Sequence, residues 1–149
     1  MERIQSHEIP KGLMEAMRQV ETYLRGTSVD YSLYKLLKVR VSQINGCAYC
    51  LDMHYKEAMH AGESVSRLML LSTWREAPIY TPKEKVVLDF AEKLTRIATE
   101  DLPEDLHDEL KKFFSIEDIA NLSLATAQIN SWNRIMRSFG TTAGNYKVQ

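Results

Sequence analysis

Apolar side chains recur along this chain at three- and four-residue intervals, and that period builds helices rather than strands. Leu13, Met17, Val20 and Leu24 form one such stripe, with Pro10 read as the first helical residue and Gly26 as the stop. Asp30 is placed to cap a second helix through Leu33, Leu36, Leu37 and Ile44, which ends at the breaker pair Asn45-Gly46. A third helix then runs to Gly62. Ser64 caps a short fourth helix carrying Val65, Leu68, Met69 and Leu71, with Pro78 read as closing it.

Thr81-Pro82-Lys83-Glu84 joins a cap, an N1 proline and the glutamate of a capping box, ahead of Val86, Val87, Phe90, Leu94 and Ile97. Pro103 opens a helix with Leu106, Leu110, Phe113 and Phe114. Ser115 opens the last, with Ile119, Leu122, Ile129, Met136 and Phe139 inward and Gly140 behind it. The tail from Thr141 carries no pattern and is expected to be loose. No alternating or β-branched run stands out. The expected fold is all-α, a helical bundle of about seven helices forming a single domain over residues 1–149.

Charge and composition narrow the function classes. Nineteen basic and twenty acidic residues leave a net charge of −1 with no basic stretch, so no nucleic-acid partner is expected. The start, M-E-R-I-Q-S-H-E-I-P-K, lacks the apolar run of an export signal, and stretches such as Leu68–Leu71 are too short for a bilayer. The expected compartment is the reducing cytoplasm, where a C-x-x-C pair is more often catalytic or metal-binding than a structural disulfide.

Both cysteines lie together, in N-G-C-A-Y-C-L-D-M-H. On a helix of about 100° per residue, Cys47, Cys50 and His54 fall within an arc of roughly 60°. The Asn45-Gly46 turn puts the thiols in the first helical turn, where unpaired N–H groups and the dipole favour a thiolate. Two thiols and an imidazole on one face form a redox or nucleophilic arrangement. The dipole favours Cys47 as the nucleophile, and the i, i+4 contact with His54 favours Cys50.

The stretch V-S-Q-I-N-G-C-A-Y-C-L-D-M-H resembles the core of the carboxymuconolactone decarboxylase-like superfamily, in its alkyl hydroperoxidase D branch. L-S-T-W-R-E-A-P (71–78), Y-T-P-K-E (80–84) and I-N-S-W-N-R (129–134) fit the same branch, so the likeness covers about 30–140. It implies an all-helical fold assembled as a homo-oligomer, a trimer or hexamer. It also implies a peroxiredoxin-type activity: reduction of a small-molecule alkyl hydroperoxide, regenerated by a dithiol or protein reductant, without a cofactor. By resemblance Cys50 attacks the peroxide, Cys47 resolves, and His54 relays the proton. Two positions depart from the pattern. Lys35 stands where the family has a relay glutamate, and Tyr49 where the namesake peroxidase has a histidine.

The same residues admit other readings. The thiols can be two small buried hydrophobes. They can also be zinc ligands, but Cys47, Cys50 and His54 leave a tetrahedral ion one ligand short, to be completed by His7, His60 or His107. Decarboxylation is the lesser inference, since the lactone decarboxylases do not depend on such a pair. A redox-sensing or binding helical assembly protein would use the thiols without turnover. His60 reads as a surface or interface residue, Tyr49 as packing or a pocket mouth, and Trp74 and Trp132 as core or subunit-interface anchors. Asn130 and Asn133 read as partners of the backbone near the cysteine turn, and Glu100–Glu109 as a solvated acidic face. Surplus apolar residues, such as Phe113 with Phe114 and Met69 beside Leu70 and Leu71, predict association. A faint echo links Ser42-Gln43-Ile44-Asn45 with Ala127-Gln128-Ile129-Asn130.

Overall fold

A computed structural model describes residues 2–99 and 101–148. Among them the chain forms seven α-helices, two short 3-10 turns and no strand. The helices are α1 (Leu13–Arg25), α2 (Tyr31–Ile44), α3 (Ala48–His60), α4 (Val65–Leu70), α5 (Pro82–Thr95), α6 (Glu104–Lys111) and α7 (Ile116–Phe139). No helix among the described residues is long and apolar enough to cross a membrane.

The caps follow the sequence closely. The Asp30 carboxylate accepts from the Ser32 N–H at 2.9 Å, and Ser64 Oγ from the Arg67 N–H at 3.2 Å. Thr81–Glu84 and Ser115–Asp118 each close a complete capping box. Four expectations need correction. Gly12, at φ 91°, precedes α1, and Pro10 lies outside it with its carbonyl accepting from the Leu13 N–H. The fourth helix ends at Leu70 and tightens into a 3-10 turn, Leu71–Thr73, well before Pro78. Ile97 lies past the end of α5 and is exposed. The tail is not loose, because α3 holds it, as described below.

Helix α2 is the centre of the bundle and packs against α3, α5 and α7. Its two sides feed two cores. Leu33, Tyr34, Leu37 and Val41 join α5, α6 and α7, while Leu36 and Val39 join Leu68, Leu71, Trp74 and Leu88. The α2–α5 seam is also polar. Glu92 is only 1% exposed, and its carboxylate accepts from Arg40 Nε (2.5 Å), Trp74 Nε1 (2.8 Å) and Arg75 Nη1 (2.6 Å). Burial pushes the Glu92 carboxyl up, but these donors outweigh it and hold the group below its ordinary range.

Of the acidic run, Glu100 lies outside the described residues; Asp101, Glu104, Asp105, Asp108 and Glu109 are exposed, as expected of a solvated face. Met69 and Phe113 are exposed. His7 sits in a 3-10 turn before α1, and His107 rests its ring edge-on against Phe90.

Replacing Glu92 by alanine strands Arg40 and Trp74 in the interior, so Glu92→Ala is expected to lower unfolding free energy by about 3–5 kcal/mol in urea titrations.

Candidate functional site

The turn that carries the thiols is fixed from behind. Gly46 takes φ 61°, a left-handed value that reverses the chain between α2 and α3 without a side-chain clash. Asn45 Nδ2 donates to Asn130 Oδ1 and to Asn133 Oδ1, both at 2.9 Å. Asn133 Nδ2 donates to Ser42 Oγ at 3.1 Å, and Arg137 Nη1 to the Asn45 carbonyl at 2.8 Å. The two asparagines of the sequence echo thus meet directly. They clamp the turn through side chains, where sequence reasoning expected bonds to backbone. Arg137, not these asparagines, supplies the bond to the turn's backbone.

Cys47 is the N-cap of α3, and Cys50 sits in its first turn with its N–H directed to Cys47 Sγ at 3.4 Å. The two cysteines are joined as a disulfide, with Cα atoms 5.4 Å apart, inside the usual range. Both are buried, against Met136 and Phe139 of α7. Neither sulfur is therefore free to act as a simple surface thiol.

His54 is buried one turn beyond Cys50. Its Nδ1 lies 3.0 Å from Glu57 Oε2, and the other Glu57 oxygen accepts from the Tyr146 hydroxyl at 2.8 Å. An ionised carboxylate only accepts, so the proton of a neutral imidazole sits on Nδ1. Nε2 is then a bare lone pair. It is buried and has no hydrogen-bond partner among the described residues.

The charges of this group follow from burial and pairing. Burial pushes His54 below its ordinary value, against the opposing pull of Glu57, so the ring is neutral at pH 7. Burial alone would raise Glu57, but the His54 and Tyr146 hydrogen bonds and nearby Lys38 pull it down to about 2. Burial and the Glu57 carboxylate push Tyr146 up to about 12, so it remains a donor.

Tyr146 belongs to the C-terminal tail, which is strapped along α3. Lys56 Nζ donates to the Gly144 and Tyr146 carbonyls, each at 3.1 Å, and the Gly144 N–H donates to Asp52 at 3.1 Å. These bonds overturn the expectation of a loose end: α3 offers a cation and two carboxylates that satisfy the tail's backbone and hydroxyl.

Cys50 and His54 line a cleft of about 720 Å³ between α1, α2, α3, α7 and the tail. Tyr49 lies at its wall, as one reading of the sequence had it. Trp132 also lines the cleft, and its indole N–H donates to Glu21 at 3.2 Å. Trp74 is core. Lys35 lines the same cleft, leaning on the ring of Tyr31, and offers no carboxylate to His54. His60 is exposed at the cleft's edge. Among the described residues no three His, Cys, Asp or Glu side chains group as a metal site requires.

Sequence reasoning missed Glu57 and Tyr146. Glu57 follows His54 by three residues, so the spacing argument that grouped the thiols could have included it. Tyr146 had no local signal, since its partner lies 89 residues away.

Residues 11–93 match the carboxymuconolactone decarboxylase family, and the chain belongs to it. An uncharacterized Bacillus subtilis protein, YdfG, is 36% identical over 144 residues, covering 97% of this chain and 98% of that one. A solved Agrobacterium tumefaciens protein of unknown function, grouped provisionally with the antioxidant-defence protein AhpD, superposes with a TM-score of 0.92 at 35% identity, over 98% of this chain and all of that one. The debrominase Bmp8 shares the fold at a TM-score of 0.75 and 17% identity, over 89% of this chain and 72% of its own. The fold is thus the alkyl hydroperoxidase D-like helical fold, and it hosts more than one chemistry.

Glu57 is held near 2 when folded and sits near 4.5 unfolded, so its contribution is present above pH 4.5 and is lost as pH falls toward 2. Glu57→Gln is therefore expected to flatten the fall in urea midpoint between pH 4.5 and 2.5, whereas an unchanged slope would mean that the carboxylate is not so held.

Proposed function

We propose that the protein is a thiol-dependent peroxidase that reduces organic hydroperoxides with the Cys47–Cys50 pair. The observation that carries this reading is the unpartnered Nε2 of His54, one helical turn from Cys50 in a shared cleft, with Nδ1 committed to Glu57. On this reading the open nitrogen, one turn from Cys50 in the same cleft, is the base that takes the Cys50 proton. The likeness to an AhpD-grouped protein at 35% identity supports the same reading.

In the reduced enzyme, His54 Nε2 takes the Cys50 proton. The thiolate attacks the distal peroxide oxygen, the O–O bond breaks, and its electron pair leaves as alkoxide. The imidazolium returns its proton to that alkoxide, giving an alcohol and a Cys50 sulfenic acid. Cys47 then attacks the Cys50 sulfur. The S–S bond forms and the hydroxyl departs as water with the Cys47 proton. The Cys47–Cys50 pairing in the structure supports this reading, since it joins the two sulfurs that the second step would link. An external dithiol supplies the two electrons that reopen it.

Glu57 takes the place of the family's relay glutamate, which Lys35 replaces. Its charge stabilises the imidazolium formed in the first step, and Tyr146 fixes its orientation. Homo-oligomeric assembly belongs to the same reading, supported by exposed Phe113, Ile116 and Leu124.

The test is a free-thiol count on reduced protein after one equivalent of cumene hydroperoxide. Both thiols are expected to disappear and to return with a dithiol. Cys47→Ser should accumulate a sulfenic acid trapped by dimedone, Cys50→Ser should not react, and His54→Gln should slow the loss by about 10² to 10⁴. Survival of both thiols would contradict the reading.

A further inference from the structure

The cleft is far larger than a peroxide group needs. Its 720 Å³ is the size of a small-molecule site, and its walls include Met14, Met53, Met136 and Trp132, soft side chains that adapt to an organic body.

Its charge is unusual for this chain. Both carboxylates that line it are committed: Glu21 to Lys38 and Trp132, Glu57 to His54 and Tyr146. Three lining cations, Arg18, Arg25 and Lys35, form no ion pair with a carboxylate among the described residues, although Lys35 also acts at longer range on Asp30. With His54 neutral, the cleft carries four cationic side chains against two anionic ones, on a protein whose net charge is −1.

Three of these cations converge on one ring. Arg25 Cζ lies 4.7 Å from the centroid of the Tyr31 ring, Lys35 Nζ 5.2 Å and Lys38 Nζ 5.7 Å. A ring face attracts cations without neutralising them, so their charge is still available to an anion. Three cations around one ring also repel one another, and an arriving carboxylate relieves that repulsion. On α1, Arg18 and Arg25 are seven residues apart and face the same cleft.

We propose that the cleft selects hydroperoxides whose apolar body carries a carboxylate, held by Arg25, Lys35 and Arg18 while the peroxide end meets Cys50. The inference rests on the peroxidase reading for the reacting end, and on the cleft alone for the carboxylate end.

The experiment separates the two. Turnover with a dithiol reductant is compared for cumene hydroperoxide and its para-carboxylated analogue. Binding of para-isopropylbenzoate, which has no peroxide, is measured on the oxidised protein by titration calorimetry. The carboxylated peroxide is expected to have a kcat/KM at least about tenfold higher, from one charge-assisted contact. That ratio should shrink with added salt and fall to about one in Arg25→Gln/Lys35→Gln. Para-isopropylbenzoate should bind the native chain and be lost in the same variant. Equal turnover of both peroxides with no benzoate binding would overturn the carboxylate proposal and leave the peroxidase reading standing. Benzoate binding that the variant abolishes, without turnover of either peroxide, would support the carboxylate site and overturn the peroxidase reading. Neither turnover nor binding would overturn both.

Discussion

The candidate site depends on one clamp, the hydrogen bonds that tie Asn45 to Asn130 and Asn133. The thiols belong to α3, but their position is set by the turn before it, and a turn on its own is the least ordered part of a helical chain. Binding that turn to the long helix α7 places Cys47 at the N-cap and packs the disulfide against Met136 and Phe139. Asn133 and Ser42 are buried and Asn45 and Asn130 half-buried, so leaving the buried Asn133–Ser42 pair unmade would carry a desolvation cost of about 1–3 kcal/mol and the others less. The clamp is therefore specific in register: shifting α7 by one residue would leave several of these groups unpaired.

Within the site so placed, burial and hydrogen bonding divide the proton affinities of neighbouring groups. His54 is kept neutral by burial, and Glu57 ionised by its two donors. The result is an imidazole with a fixed tautomer and one open nitrogen. Lys35 brings no carboxylate to the site, yet the site is not without one. Glu57 supplies the charge from His54's own helix, and the C-terminal strap supplies the donor that holds it. Lys35 joins the cations around Tyr31.

Much of this was legible in the residues. Caps at Asp30, Ser64, Thr81 and Ser115 are local chemistry, so the helix starts they predict agree with the structure. Stops were less legible. Pro78 was read as an end, although the helix before it gives way to a 3-10 turn once Leu71 reaches the core. The grouping of Cys47, Cys50 and His54 follows from helical spacing alone. The Asn45–Asn130 contact left only a four-residue echo, because side-chain pairing across 85 residues imposes no period. Tyr146 was invisible for the same reason: a tail without an apolar pattern can still be ordered by a few polar bonds, here to Asp52, Lys56 and Glu57.

The most direct test of the Glu57–His54–Cys50 chain is the pH dependence of Cys50 alkylation in reduced Cys47→Ser protein, with and without Glu57→Gln. If His54 and Glu57 activate the thiol, Cys50 titrates below the ordinary cysteine value of about 8.5, and Glu57→Gln moves the midpoint upward. A midpoint at or above that value, unchanged by Glu57→Gln, would contradict the assignment of Cys50 as an activated nucleophile.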